Sequence, residues 1–335
     1  MIPAFLGLAG PVLGEAERSF FRAVDPAGYI LFKRNCVDRA QLRALTDALR
    51  ALSGRSDLPI LIDQEGGRVQ RLGPPEWPRL PAAEPFAKLY EKAPISAMEA
   101  ARLGALAIAL MLREVGVNVD CLPLLDVRHA DADAIIGDRS LGADPIQVAS
   151  LGRLVLDGLR EGGVVGVVKH MPGHGRAMAD SHKELPVVAA TDAELADDIR
   201  PFERLNDAPM GMTAHVVYPA WDAERCASLS PVVIAQIIRG RIGFDGLLMS
   251  DDLGMNALSG GFSERAAGVI AAGCDIALHC SGDLAEMEAV AGALGAIAEP
   301  SRARLDRAMA TIAGAAPADS FEDLVAKRDA LLALA

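Results

Sequence analysis

The residues best equipped for chemistry gather in four short stretches. One reads Asp63-Gln64-Glu65-Gly66-Gly67-Arg68-Val69-Gln70-Arg71, and a second Lys169-His170-Met171-Pro172-Gly173-His174-Gly175 followed by Asp180-Ser181-His182. The others are Ser250-Asp251-Asp252-Leu253 and Ile136-Gly137-Asp138-Arg139-Ser140. Three of the six histidines, His170, His174 and His182, fall within thirteen residues. A lone histidine is most often a hydrogen-bonded loop or surface residue, but clustering beside carboxylates points to proton transfer. Zinc is the competing use, yet H-x3-H-x7-H matches no compact zinc motif, so no metal and no cofactor are expected. Lys169 could form a Schiff base as in barrel aldolases or hydrogen-bond a substrate, and its neighbour His170 and the acidic residues favour the second. Because side chains alternate across a strand, only one of Asp251 and Asp252 can face a barrel axis as nucleophile or base. The bland alternative for Asp252 or Asn256 is a helix N-cap. Arg71 and Arg139 would ordinarily be solvated, but both sit beside carboxylates.

These stretches follow short apolar runs, which suggests what positions them. Eight strands are predicted: Phe5–Leu8, Tyr29–Phe32, Ile60–Asp63, Val117–Cys121, Val164–Lys169, Met210–Ala214, Leu247–Ser250 and Asp275–Leu278. Helical patterns alternate with them, which argues for βα units around a parallel sheet. Ser96 with Glu99 and Thr191 with Glu194 read as capping boxes, and Asp144-Pro145 and Ser230-Pro231 as a cap before a helix-starting proline. Leu42, Leu45, Leu49 and Leu52 form one apolar stripe at helical spacing. The expected fold is α/β, a single-domain (β/α)8 TIM barrel over 1–335, with a closing helix from about Phe321. A doubly wound sheet is disfavoured, since no G-x-G-x-x-G follows the first strand. Active residues of such barrels lie just after the C-terminal strand ends, where the four stretches fall.

Composition narrows the function classes. With 335 residues, 51% of them hydrophobic, the chain has enough apolar material for a full core. Its 33 Lys and Arg against 45 Asp and Glu give a net charge of −12, which disfavours a phosphate backbone, so no nucleic-acid partner is expected. The longest apolar run, Leu103–Leu112, is too short to cross a bilayer. Met1–Gly10 lacks the features of a signal peptide, so the cytoplasm is the expected compartment. Five cysteines without a CxxC pair fit reduced thiols, most of them core fillers.

Taken together, Asp63 to Arg71, Lys169 to His182 and Ser250-Asp251-Asp252-Leu253-Gly254-Met255 resemble the signature of glycoside hydrolase family 3 β-N-acetylhexosaminidases of the bacterial NagZ type, over nearly the whole chain. The resemblance implies a retaining enzyme that removes non-reducing terminal β-linked N-acetylglucosamine from muropeptides in cytoplasmic peptidoglycan recycling. It implies Asp251 as nucleophile, His182 as general acid/base and Asp180 as its partner, with Asp63, Arg71, Arg139, Lys169 and His170 binding the sugar. The partner is then a small sugar substrate and the protein is expected to be a monomer. Met171 and Gly254 stand where family members usually have Phe and Ser. The alternatives are a sugar-binding protein without turnover, or a family 3 glycosidase of other sugar preference, such as a β-glucosidase; those usually carry a second domain.

Overall fold

Each apolar run pairs in parallel with its neighbours in the chain, and the last pairs with the first. In the computed structural model, which describes residues 1–315 and 319–335, the strands are β1 (Ile2–Leu6), β2 (Pro26–Leu31), β3 (Ile60–Ile62), β4 (Val119–Asp120), β5 (Val165–Met171), β6 (Met210–Thr213), β7 (Leu247–Asp252) and β8 (Ile276–His279). They close an eight-stranded barrel in sequence order. Around it run α1 (Glu15–Val24), α2 (Arg39–Ser53), α3 (Glu84–Lys92), α4 (Pro94–Glu114), α5 (Pro145–Glu161), α6 (Asp192–Arg204), a π-helical segment at Val233–Arg241, α7 (Phe262–Ala272), α8 (Leu284–Gly292), α9 (Glu299–Ala310) and α10 (Phe321–Leu332). The fold is the expected (β/α)8 barrel.

All eight runs form strands, but several boundaries move. β1 starts earlier than Phe5, because the Ile2 N–H bonds the Asp25 carbonyl at 2.9 Å and Ile2 registers with Pro26. β4 shrinks, since the Val117 N–H instead bonds Leu112 at the end of α4, at 3.0 Å. β5 and β7 run two residues beyond their expected ends at Lys169 and Ser250, so His170, Asp251 and Asp252 stand on strand ends rather than in loops.

Helix starts follow the local chemistry in three of four places. Thr191 and Glu194 cap each other reciprocally, Asp144 accepts from the Ile146 and Gln147 N–H groups, and Ser230 accepts from the Val233 N–H. The Ser96–Glu99 box does not form. α4 already begins at Pro94, which leaves Ser96 inside the first turn, and Glu99 instead pairs with Arg102 at 2.7 Å. Asp38 caps α2, whose Leu42, Leu45 and Leu49 are buried.

The core has the alternation a barrel requires. Val165 and Val167, Met210 and Met212, Leu247 and Met249, and Ile276 and Leu278 share the inner cluster, while Val168, Leu248 and Ala277 face the helix layer. Leu305, Ala308 and Met309 of α9 join the inner cluster. The Leu103–Leu112 run belongs to the longer α4, which by length and composition alone could cross a membrane but is mostly buried within the protein. That helix packs against α3, α5 and α10, and its Leu103, Leu106 and Ala107 cluster with Leu324.

The close approach of α4 and α5 depends on Gly158. A Cβ there would fall 2.2 Å from the Arg102 carbonyl oxygen and 3.0 Å from the Leu106 nitrogen. Alanine at a mid-helix glycine ordinarily stabilises by roughly 0.5–1 kcal/mol, whereas overpacking costs about 1–3 kcal/mol, so the clash wins. Gly158→Ala is expected to lower the thermal midpoint; a midpoint equal to or above wild type would show that the two helices separate freely.

Candidate active site

Strand parity decides which side chains reach the barrel mouth. Counting two residues on from inward-facing Ile30, Leu61, Val167, Met249 and Leu278 gives Phe32, Asp63, Lys169, Asp251 and Cys280. All five line one cavity of about 280 Å³, as do Arg71, Arg139, His170, His174 and His182. Parity therefore sends Asp251 to the axis. Cys280, buried in the inner cluster, thus also lines the cavity. All five cysteines are unpaired, as the sequence suggested.

At the floor, Lys169 is 2% exposed. Its Nζ lies 3.0 Å from Asp63 Oδ1 and 2.8 Å from Glu65 Oε1. Arg71 NH2 meets the other Asp63 oxygen at 3.0 Å, and Arg139 grips Glu65 with Nε at 2.8 Å and NH2 at 2.9 Å. Burial alone pushes Asp63 and Glu65 up, but Lys169, with Arg71 and Arg139 respectively, holds both below the usual carboxylate range. Burial likewise lowers Lys169, and the two carboxylates more than reverse that. No Schiff-base role is open to an ammonium so held. Arg71 also lies over the Phe32 ring, 5.0 Å from its centroid.

A second carboxylate, Asp126, organises the histidines. Its Oδ1 accepts from the His170 and His174 N–H groups at 3.1 and 2.7 Å, and its Oδ2 meets His170 Nδ1 at 2.7 Å. Burial raises this carboxyl, but His170 and His174 pull it down to about 2. An ionised Asp126 only accepts, so His170 Nδ1 carries a proton and Nε2 is left for the cavity. Lys169 and His170 both line the cavity although consecutive; the peptide between them is cis.

His182 sits at the rim, its side chain 63% exposed and its Nδ1 2.9 Å from Asp180 Oδ1. The same oxygen accepts from the His182 N–H at 2.9 Å. Burial raises the Asp180 carboxyl, and the His182 N–H, the imidazole and Lys183 together bring it below normal. The rim loop is pinned at Ser181, whose Oγ is 3.2 Å from His174 Nε2 and whose carbonyl accepts from Ala257.

Asp251 Oδ1 accepts from the Asp252 N–H at 2.8 Å. Burial raises the Asp251 carboxyl, but the facing His215 and His170 imidazoles and that N–H hold it below the usual value. Asp252 does not cap a helix, and neither does Asn256, because α7 begins only after Gly261. The Asp252 carboxylate instead accepts from Gly254 and Cys280 N–H groups at 2.9 and 3.0 Å.

Seven of the eight predicted site residues thus line the cavity, and the eighth, Asp180, holds His182. The sequence reading passed over Glu65, Asp126 and His215. Glu65 lay inside a quoted motif, and Asp126 ends the apolar Leu124-Leu125 pair just as Asp63 ends Leu61-Ile62, a signal that could have found it.

The profile of the glycosyl hydrolase family 3 N terminal domain matches residues 14–314. The chain belongs to that family. It is a glycoside hydrolase. A Beta-hexosaminidase of Chromobacterium violaceum is 37% identical over 332 residues, covering 98% of this chain and 91% of that protein. One of Bordetella avium is 40% identical over 284 residues, covering 83% and 80%. NagZ from Neisseria gonorrhoeae in complex with N-trifluoroacetyl-D-glucosamine has a TM-score of 0.85 at 32% identity, covering 99% of this chain and 97% of that one.

In this family 3 hydrolase the floor cluster ties stability to pH in a defined window. Asp63, Glu65 and Asp126 have folded values below their unfolded ones, near 4, so their contribution is present above about pH 4 and fades as pH falls through the folded values. Lys169 is raised, so its contribution is complete below roughly pH 10.4, its unfolded value, and is lost only as pH rises through the folded one. Lys169→Met is expected to be destabilising at pH 7 by about 1–3 kcal/mol, since it removes the ammonium that bridges Asp63 and Glu65 and leaves each with one arginine partner. It should also move the acid-unfolding midpoint upward in a pH titration followed by circular dichroism. An unchanged midpoint would show that the ammonium does not hold these carboxylates ionised.

Proposed function

We propose that this family 3 hydrolase is a retaining β-N-acetylglucosaminidase that removes terminal N-acetylglucosamine from muropeptides in cytoplasmic peptidoglycan recycling. The observation that carries the reading is a held carboxylate, Asp251, and a carboxylate-paired imidazole, His182, on the wall of one cavity. The amino-sugar ligand of the Neisseria gonorrhoeae structure supports the sugar identity.

Retention requires two displacements at the anomeric carbon. Asp251 Oδ1 is held by the Asp252 N–H, which leaves Oδ2 to attack. As the C1–Oδ2 bond forms, the bond to the leaving oxygen breaks and that oxygen takes a proton from His182. Asp180 engages Nδ1, so the transferred proton is the one on Nε2. In the second step the neutral imidazole takes a proton from water through Nε2, and the water oxygen displaces Asp251. Asp63, Arg71, Arg139, Lys169 and His170 bind the sugar, locked in ion pairs beforehand so that little reorganisation remains.

Turnover of aryl β-N-acetylglucosaminide should greatly exceed that of aryl β-glucoside, and EDTA should leave the rate unchanged. Comparable rates on both glycosides, or EDTA inactivation reversed by zinc, would remove the proposal. The dyad makes a separate demand. General acid help is worth about 10²- to 10⁴-fold, so His182→Ala should lose most on leaving groups of high pKa and least on activated aryl glycosides. Asp180→Asn should act in the same direction, because it removes the charge that favours imidazolium. With bond cleavage rate-limiting, the slope of log kcat/KM against leaving-group pKa should steepen in both variants. A wild-type slope in both would exclude this dyad as the acid.

A further inference from the structure

We infer that His215 is a positioning residue for the Asp251 carboxylate, acting through the main chain of Asp252; the inference rests on reading Asp251 as the nucleophile. His215 is fully buried and is not part of the cavity wall. Its Nε2 lies 3.0 Å from the Asp252 carbonyl, which only accepts, so Nε2 carries a proton. Its Nδ1 lies 2.8 Å from Ser228 Oγ, and that oxygen lies 2.6 Å from Thr213 Oγ1. Burial disfavours the imidazolium despite the nearby Asp251 and Asp252. Nδ1 of the neutral ring is thus left as an acceptor facing Ser228 Oγ, whose one proton is shared between Nδ1 and the Ala214 carbonyl at 3.0 Å, with Thr213 Oγ1 on its other side. Ser228 thus ties the end of β6, through Thr213 and Ala214, to the ring whose Nε2–H reaches the end of β7.

Asp252 is the joint through which this chain acts. Its carbonyl is shared between His215 Nε2 and the Met255 N–H, the latter at 3.1 Å. Its carboxylate is occupied by Gly254 and Cys280 N–H groups. Its own N–H then fixes Asp251 Oδ1 at 2.8 Å. Whatever orients the Asp252 backbone thus orients the Asp251 carboxylate and decides which oxygen meets the sugar. A small rotation there leaves the binding residues untouched and misaligns only the attack, which geometry of this kind makes costly.

Two amides separate this role from simple core filling. The Gln amide nitrogen occupies the place of Nε2, whereas that of Asn occupies the place of Nδ1 and falls short of the Asp252 carbonyl. With aryl N-acetylglucosaminide, His215→Asn is expected to lower kcat about 10²-fold with KM unchanged. His215→Gln should restore most of that loss, and Ser228→Ala, which frees the ring but keeps Nε2–H, should lie between them. A slow fluorinated N-acetylglucosaminide should label Asp251 in wild type, and labelling rates should follow the same order. Equal kcat for the Asn and Gln variants, or a loss confined to KM, overturns the inference. If the Asn variant does not fold, wild-type kcat in Ser228→Ala overturns it. A wild-type label on any other residue overturns the reading of Asp251 as nucleophile and this inference with it, whereas label on Asp251 at equal rates in all variants overturns the inference alone.

Discussion

One buried ammonium organises the mouth of the barrel. Lys169 points up the axis because β5 places it two residues beyond Val167, and at that depth an unpaired charge would cost several kcal/mol. It is paired twice, by Asp63 from the end of β3 and by Glu65 from the hairpin that follows. Those two carboxylates, Glu65 buried and Asp63 partly so, recruit Arg139 and Arg71, and Arg139 belongs to the loop beyond β4. Satisfying one cation thus draws the 64–70 hairpin and the 137–139 turn over the cavity. Gln64 finishes the closure, its side-chain oxygen accepting from the Arg71 and Leu72 N–H groups at 3.0 and 2.9 Å.

The same network explains why so much polar surface survives at the end of an apolar barrel. β3, β5 and β7 carry inward-facing aliphatic residues below and a polar residue, Asp63, Lys169 or Asp251, at the top, so the core supplies rigidity and the last layer supplies chemistry. Asp126 repeats the scheme on the neighbouring wall, where one carboxylate fixes two backbone N–H groups and the tautomer of His170. A ligand entering such a site meets donors and acceptors whose orientation is already set by other partners.

Much of this was legible in the sequence, for identifiable reasons. Strands were readable because apolar runs ended in polar clusters; parity said only that one of Asp251 and Asp252 faces the axis, and counting from Met249 in the structure makes it Asp251, although Asp252 also lines the cavity. Where local signals competed with helix length, they failed: Pro94 starts α4 before Ser96 can cap it. Strand ends were set too early at Lys169 and Ser250, because polar residues at a barrel mouth look like loop while still obeying the ladder. Glu65, Asp126 and His215 escaped because their partners lie far along the chain; Glu65 and Arg139 are 74 residues apart, and His215 and Asp252 are 37. A lone histidine in an apolar stretch carries no mark of what it will touch.

The proposed division of labour between Asp251 and His182 follows from where each can stand. A nucleophilic carboxylate must be anionic, and the depth of the barrel permits that only with an N–H and imidazoles facing it, as Asp251 has. An acid/base residue must reach the leaving oxygen from the opposite side, at the open rim. There a carboxylic acid would lack the burial that raises its pKa toward neutrality, and would be ionised before it could donate. Imidazole has a reference value near 6.5 without any burial, so it suits an exposed loop. Its need is orientation, which Asp180 provides through Nδ1 while Ser181 anchors the loop to His174 and Ala257. The rim position thus selects the chemistry of the residue it carries: moving the proton donor out of the core exchanges a buried carboxylic acid for an exposed, carboxylate-oriented histidine.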